Sequence, residues 1–165
     1  MWYAYAMNIS IVCIGKLKER YWREAQAEYA KRLGKYCRLH IVELKEERLP
    51  DNASPAAEAA VIEAEGRAIL RACRPESFRI ALDIRGQSLS SEQLAKRLDG
   101  LALAGRSDIS FLIGGSLGLS AEALHAADLR LSFSAMTFPH QLMRVILLEQ
   151  IYRAFKINRH ETYHK

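Results

Sequence analysis

Cysteine, proline and long apolar runs are scarce in this chain of 165 residues. Its three cysteines are widely spaced and form no CxxC pair, so we expect neither a disulfide framework nor a cysteine metal site. No other cluster of histidines or carboxylates has the spacing of metal ligands. No apolar run approaches the roughly 20 residues that cross a bilayer, and the opening MWYAYAMNIS lacks a basic segment. We therefore expect no metal, membrane span or signal peptide, and a cytoplasmic location.

The composition that remains is that of one globular domain. Half of the residues are apolar and 26% are charged. Lysine and arginine exceed the acidic residues by 24 to 19, and this modest basic excess favours a polyanionic partner. Residues 1–6 precede a second methionine, Met7, and we interpret them as an upstream extension or a cloning remnant. Residues 7–165 are expected to form the single domain.

Strand-like and helical patterns alternate along the chain. The predicted strands are 8–14, 38–44, 78–84, 108–113 and 129–133, and the predicted helices are 21–33, 55–72, 90–104, 120–127 and 141–155. Ser54-Pro55 is expected to cap one helix and Ser90 with Gln93 another. Gly34 is expected to end the first helix, and Arg85-Gly86 to begin a turn. This alternation predicts an α/β domain with a largely parallel sheet flanked by helices.

Three loops follow predicted strands, namely ALDIRGQ (81–87), LIGGSLG (112–118) and FSAMTFPH (133–140). A parallel sheet brings such loops to one edge, where ligands bind. The glycines of the second loop allow close backbone approach, but Ile113 replaces the first glycine of a dinucleotide fingerprint, and no phosphate-binding loop is present. The pattern favours a ligand held by backbone amides and apolar walls, with tight turns between packed elements as the alternative.

Several segments resemble one protein family. They are NISIVCIGKLKERYW (8–22), IGGSLGLS (113–120), LSFSAMTFPHQLMRVILLEQIYRAFKI (131–157) and the final YHK. These residues are similar to the RlmH family of SPOUT methyltransferases, and the resemblance runs from Met7 to Lys165. It implies a methyltransferase that uses S-adenosylmethionine to modify N3 of a pseudouridine in the 23S rRNA of the large ribosomal subunit.

The resemblance also implies structure and site residues. A trefoil knot near the C-terminus and a homodimer with the last helix near its interface are expected, although knots are nearly absent among folds. The family's cofactor contacts correspond to Leu82, Gly114, Phe133, Ser134, Ala135, Met136, Thr137 and Phe138.

Catalytic and RNA-binding residues are less defined. Removing the N3 proton calls for a general base, for which His140 and His164 are candidates. His140 could instead cap the last helix. Substrate contacts are expected from Arg144, Arg153, Tyr163 and His164, with pairing of the arginines to Glu149 across the dimer as an alternative. Two other functions stay open, a SPOUT enzyme acting on tRNA and a non-enzymatic ribosome-binding protein.

Overall fold

Five parallel strands form the centre of the molecule in the computed structural model, which describes residues 7–165. The interpretation of residues 1–6 as an extension lies outside the described residues. The strands are β1 (Met7–Ile14), β2 (Cys37–Leu44), β3 (Phe78–Ser88), β4 (Asp108–Ile113) and β5 (Leu129–Ser132). Their order across the sheet is β2-β1-β4-β3-β5. The predicted parallel α/β sheet is confirmed.

Helices cover both faces of the sheet. They are α1 (Arg20–Leu33), α2 (Pro55–Ala72), α3 (Ser91–Leu103), α4 (Ala121–Ala126) and α5 (His140–Asn158). Helix α5 packs against α1 and α3 on one face, and α2 packs against α4 on the other. None of these helices in the described part of the chain is long and apolar enough to cross a membrane.

Strand β1 shows why the chain folds into three layers. Its residues are apolar on both faces, as in other buried parallel strands. Ile9 and Ile11 join the larger core under α1, α3 and α5, while Val12 and Ile14 join the smaller core under α2. Successive side chains of a strand point to opposite faces, so one strand contributes to both cores.

Two helix starts form as predicted. The hydroxyl of Ser54 accepts the backbone N–H of Ala57, with Pro55 in the first helical turn. Ser90 and Gln93 form a reciprocal capping box at the start of α3. Since these side chains satisfy backbone donors that a helix leaves unpaired, they fix where α2 and α3 begin.

One local prediction is confirmed and another needs correction. Helix α1 ends at Leu33, directly before Gly34, as predicted, with Gly34 itself in a right-handed conformation of φ −58°. Strand β3 runs through the predicted turn at Arg85-Gly86 as far as Ser88. It does so because Gln87 and Ser88 pair again with β5 after a shift in register.

Candidate ligand site at the carboxyl edge of the sheet

The register of the strands brings the three predicted loops to one edge. Leu82 of β3 pairs with Leu131 of β5, and the neighbouring Ala81 pairs with Leu112 of β4. The residues that follow these strands, Gly114 and Phe133, therefore leave the sheet at the level of Leu82. In open parallel sheets this carboxyl edge is the usual place for a ligand.

Serine hydroxyls shape the loop that follows β5. The Oγ atom of Ser132 lies 3.1 Å from the carbonyl oxygens of both Ile84 and Ser134, and its hydrogen can be donated to either. The backbone N–H of Met136 donates to Oγ of Ser134 over 3.0 Å. The loop after β5 is thus joined to β3 through Ser132. Sequence reasoning missed Ser132, because one serine at the end of a strand gives no distinctive signal.

The loop after β4 depends on two of its glycines. Gly118 has φ +85°, which few other residues adopt, and its N–H donates to the carbonyl of Gly115. A Cβ atom at Gly114 would lie 2.5 Å from the carbonyl carbon of Gly118. Only a residue without a side chain fits at Gly114, so the loop turns back tightly on itself.

Apolar side chains are exposed at the same edge. Ile84 is 54% exposed and Met136 73%, whereas Leu82 and Phe138 are half-buried. A cavity of about 300 Å³ also lies beside the end of β5, against Phe133 and the start of α3. An edge with exposed apolar side chains suits an apolar part of a ligand.

Arg144 occupies a different setting from the substrate-facing position that we expected. It is 1% exposed, and its guanidinium donates to Glu43 Oε2 over 2.6 Å and to the carbonyl of Gly15 over 3.0 Å. These contacts join α5 to the ends of β1 and β2. Because the group is buried and paired inside the protein, its role here is structural.

Three predicted substrate residues form one cluster at the other end of α5. Glu149 accepts hydrogen bonds from Arg153 over 2.6 Å and from the Tyr163 hydroxyl over 2.9 Å. The Arg153 guanidinium also lies over the Tyr163 ring, 4.7 Å from its centroid. Burial and the bond to Glu149 raise the pKa of Tyr163 to about 12. The phenol therefore stays neutral and can donate a hydrogen bond at physiological pH.

The two candidate bases lie far apart. The ring of His164 joins the cluster, with Nδ1 3.2 Å from Arg153 and Nε2 2.7 Å from Glu92. His140 is the first residue of α5, whose N-cap is Pro139 without any side-chain capping bond, so the capping role considered for His140 is wrong. With a rise of 1.5 Å per residue, about 20 Å of helix separates His140 from Arg153.

Within residues 7–165, no group of three or more histidines, cysteines or carboxylates is arranged to hold a metal ion. The site consists of a loop edge next to the start of α5 and a charged aromatic cluster at its end.

A parallel α/β domain with such an edge offers a place for a ligand, and comparison with known proteins gives its class. The family described as "Predicted SPOUT methyltransferase" matches residues 7–164. The chain belongs to this SPOUT methyltransferase family. Its fold is similar to that of a probable methylase family protein from Haemophilus influenzae Rd KW20, with a TM-score of 0.52 at 16% identity. That similarity covers 95% of this chain and 70% of the other.

Curated relatives are more similar and share one name, "Ribosomal RNA large subunit methyltransferase H". The protein of that name from Clostridium novyi (strain NT) is 57% identical over 159 residues. The one from Carboxydothermus hydrogenoformans is 56% identical and that from Clostridium kluyveri (strain NBRC 12016) 52%. Each similarity covers 96% of this chain and the whole of the relative.

Proposed function

We propose that this protein transfers a methyl group from S-adenosylmethionine to N3 of a pseudouridine in the 23S rRNA of the large ribosomal subunit. The observation that carries the proposal is full-length similarity to relatives named for large-subunit rRNA methylation. The loop edge supplies a place for the cofactor. The modest basic excess supports an RNA partner, since lysine and arginine neutralise phosphates. The ribosome as substrate places the protein in the cytoplasm.

The proposed cofactor-binding residues are Leu82, Gly114 and the run 133–138. When bound, S-adenosylmethionine supplies an electrophilic methyl group on a positively charged sulfur. The residues of the chain hold and orient this group. The missing side chain of Gly114 lets the loop fold tightly against Gly118, Leu82 and Phe138 provide apolar walls, and Ser132 fixes the spacing of two loops. Positioning of this kind supplies up to about 7–11 kcal/mol of a transfer barrier.

The cluster of Arg153, Tyr163 and His164 is the proposed substrate site. Arg153 offers a planar cation for a phosphate or for the edge of a uracil ring, and Glu149 orients it. His164 is the stronger candidate for removing the N3 proton. Its Nε2 atom contacts Glu92, an arrangement that orients an imidazole, and its Nδ1 atom must exchange Arg153 for the substrate to accept the proton.

A homodimer is proposed because one protomer keeps these two sites apart. The cofactor loop precedes α5, whereas Arg153 lies about 20 Å further along this helix. A symmetric dimer in which α5 meets its counterpart would bring the loops of one protomer to the cluster of the other.

The proposed trefoil knot is supported by the path of the chain after β5. Strand β5 lies at the edge of the sheet next to β3, but α5 begins near β1, where the N–H of Lys18 donates to Gln141. Residues 133–139 must therefore cross the carboxyl edge of β3 and β4, against the β3–α3 connection. Pulling on both termini should leave a tightened knot and a contour length shorter than that of an unknotted chain.

The activity is tested by methyl incorporation from labelled S-adenosylmethionine into RNA from a strain that lacks the gene. Assembled ribosomes, purified large subunits and bulk tRNA are assayed side by side. Label at a pseudouridine of the large-subunit rRNA is expected. Label in tRNA alone would show that the proposed rRNA substrate is wrong. No label in any RNA, together with no cofactor binding by calorimetry, would favour a non-enzymatic ribosome-binding protein.

A further inference from the structure

A second cavity lies behind the loop that follows β4, on the side of α2. Its volume is about 370 Å³, and Ser116 and Leu117 of the loop form part of its wall. Glu65 of α2 forms another part, together with Glu46, Glu47 and Arg48 from the connection between β2 and α2. The cavity thus lies on the reverse side of the loop proposed to hold the cofactor.

Glu65 is an unusual residue in this position. It is 4% exposed, and its Oε2 atom has no hydrogen-bond partner among residues 7–165. A Cβ atom at Gly115 would lie 3.0 Å from this oxygen. The carboxyl group therefore rests directly against the backbone of the loop, and a side chain at Gly115 would crowd it.

Helix α2 supports both ends of the loop through consecutive residues. Glu65 lies against Gly115 at its start, and a side chain at Gly66 would overlap Ser120, which caps α4 just after the loop. Movement of the 114–120 segment away from Glu65 would consequently break its contacts with α2. Any charge on Glu65 is therefore held at a fixed place behind the loop.

The surroundings of Glu65 favour its neutral form. The apolar Ile14 of β1 and the uncharged Ser116 and Leu117 of the loop lie nearby. The β2–α2 connection adds two carboxylates and one arginine. Burial, together with repulsion from Glu46 and Glu47, raises the pKa of Glu65 from 4.5 to about 7. No ion pair to Glu65 occurs within the described residues.

We propose that Glu65 is a positioning residue that makes the 114–118 loop distinguish the positively charged methyl donor from its uncharged product. The inference rests on the proposed function, because it assumes that the donor binds to the front of this loop. S-adenosylmethionine carries a sulfonium, whereas S-adenosylhomocysteine carries a neutral thioether. A carboxylate behind the loop attracts the former through a medium of low polarity and has no such attraction for the latter.

Binding and ionisation are then coupled. A cation at the front of the loop favours ionised Glu65, so Glu65 releases its proton to the buffer when the donor binds. The product provides no such stabilisation, and Glu65 stays protonated in its complex. By this mechanism the site retains the donor and releases the product, and it does so better as the pH rises through neutrality.

Calorimetry on the full-length protein tests this coupling with both ligands between pH 6 and pH 8. Titrations in two buffers of different ionisation enthalpy give the number of protons released. The donor is expected to release a fraction of a proton near pH 7 that the product does not. The ratio of donor affinity to product affinity should rise over this range by up to about tenfold, the equivalent of one pKa unit.

Variants assign the effect to this carboxyl group. Glu65→Gln should remove both the proton release and the change in the affinity ratio. Glu63→Gln is the matched control, because Glu63 lies on the same helix with its side chain 67% exposed and should leave both quantities unchanged. The wild-type measurement tests the inference even if Glu65→Gln fails to fold.

Three results would overturn the inference. Equal proton release by donor and product in the wild type would exclude selective coupling, and an unchanged affinity ratio in Glu65→Gln would exclude this residue. Both results leave the proposed function intact. If neither ligand binds the wild type at any pH, the proposed function fails and the inference fails with it.

Discussion

At the scale of single residues, Arg144 shows how a charged side chain can serve the fold. The sequence suggests an RNA contact, because the planar guanidinium of arginine suits a phosphate. The structure instead buries it against Glu43 and the carbonyl of Gly15. A buried arginine without partners would be costly, so removing either partner is expected to destabilise the protein.

Arg144→Met should lower the free energy of unfolding by roughly 2–4 kcal/mol, because it leaves Glu43 partly buried without its cation. Urea unfolding followed by circular dichroism measures the change. Arg20→Met is the matched control, since Arg20 pairs with Glu24 over 2.6 Å with side chains 85% and 61% exposed. Surface pairs of this kind contribute little, and we expect no measurable change there. Equal losses in the two variants would contradict the structural role of Arg144.

The pH dependence of stability should carry a contribution from Glu65. Its pKa is raised from 4.5 to about 7 in the folded protein, so the folded state holds a proton that the unfolded chain has released between these values. Protonated Glu65 contributes fully to the stability of the folded state below pH 4.5, and this contribution is lost as the pH rises through 7. The free energy of unfolding of Glu65→Gln should therefore match that of the wild type near pH 4 and exceed it by roughly 1–3 kcal/mol at pH 8. Denaturant unfolding at both pH values checks this, and a variant less stable at pH 8 would refute it.

Two glycines provide a variant and a matched control that test the proposed cofactor loop. A Cβ atom at Gly114 would collide with the backbone of Gly118, whereas Gly100 in α3 has no atom within 4 Å of such a position. We expect Gly114→Ala to abolish binding of S-adenosylmethionine in calorimetry. Gly100→Ala should bind normally and unfold with about 0.5–1 kcal/mol more free energy, because alanine is favoured in a helix. Normal binding of S-adenosylmethionine by Gly114→Ala would indicate that this loop does not take part in cofactor binding.

At the scale of elements, α5 connects the two proposed functional regions. Its first turn follows the proposed cofactor loop, and its last turns hold the C-terminal tail through Glu149 and Lys156. Lys156 contacts Glu161 over 2.7 Å, and Tyr36 also donates to Glu161 over 2.6 Å. The tail is therefore fixed to the body of the protein through several polar contacts.

Tyr163→Phe tests whether the tail serves the substrate and not the cofactor. It removes the hydroxyl that donates to Glu149 and should lower stability by about 1 kcal/mol. We expect a clear loss of methyl transfer with unchanged affinity for S-adenosylmethionine. Tyr21→Phe is the control, because Tyr21 is 59% exposed on α1. Loss of cofactor affinity in Tyr163→Phe would place the tail at the cofactor instead.

The elements were largely predictable, and the exceptions have physical causes. Apolar periodicity and the caps at Ser54 and Ser90 located helices and strands, because these signals are local in sequence. The length of β3 depended on pairing with β5, which the segment around Gly86 does not encode by itself. Glu65 gave no signal either, since a glutamate in an alanine-rich helix has the pattern of an exposed residue until the loop from β4 covers it.

At the scale of the whole molecule, the separation of the two sites along α5 predicts complementation between protomers. Gly114→Ala should damage only the cofactor loop, and Arg153→Ala only the substrate cluster. If one active site combines both regions from different protomers, each variant should be inactive alone. A mixture unfolded and refolded together should then recover methyl transfer, because mixed dimers contain one intact combined site.

Incorporation of labelled methyl groups into ribosomes measures this recovery. Refolding each variant separately and mixing afterwards is the control, since intact dimers should not exchange during the assay. Sedimentation analysis confirms that the refolded species are dimers. Absence of recovery in the co-refolded dimers would indicate that each protomer contains a complete site.

The strand order also has a consequence for how the protein is made. The inner strand β1 pairs with β2 on one side but must wait for β4 on the other, and the larger core closes only when α5 arrives. During translation, most of the chain therefore emerges before its apolar interior can be covered. Parallel pairings between distant segments form slowly and expose apolar surface meanwhile. The nascent chain should consequently depend on chaperones until its C-terminal helix leaves the ribosome.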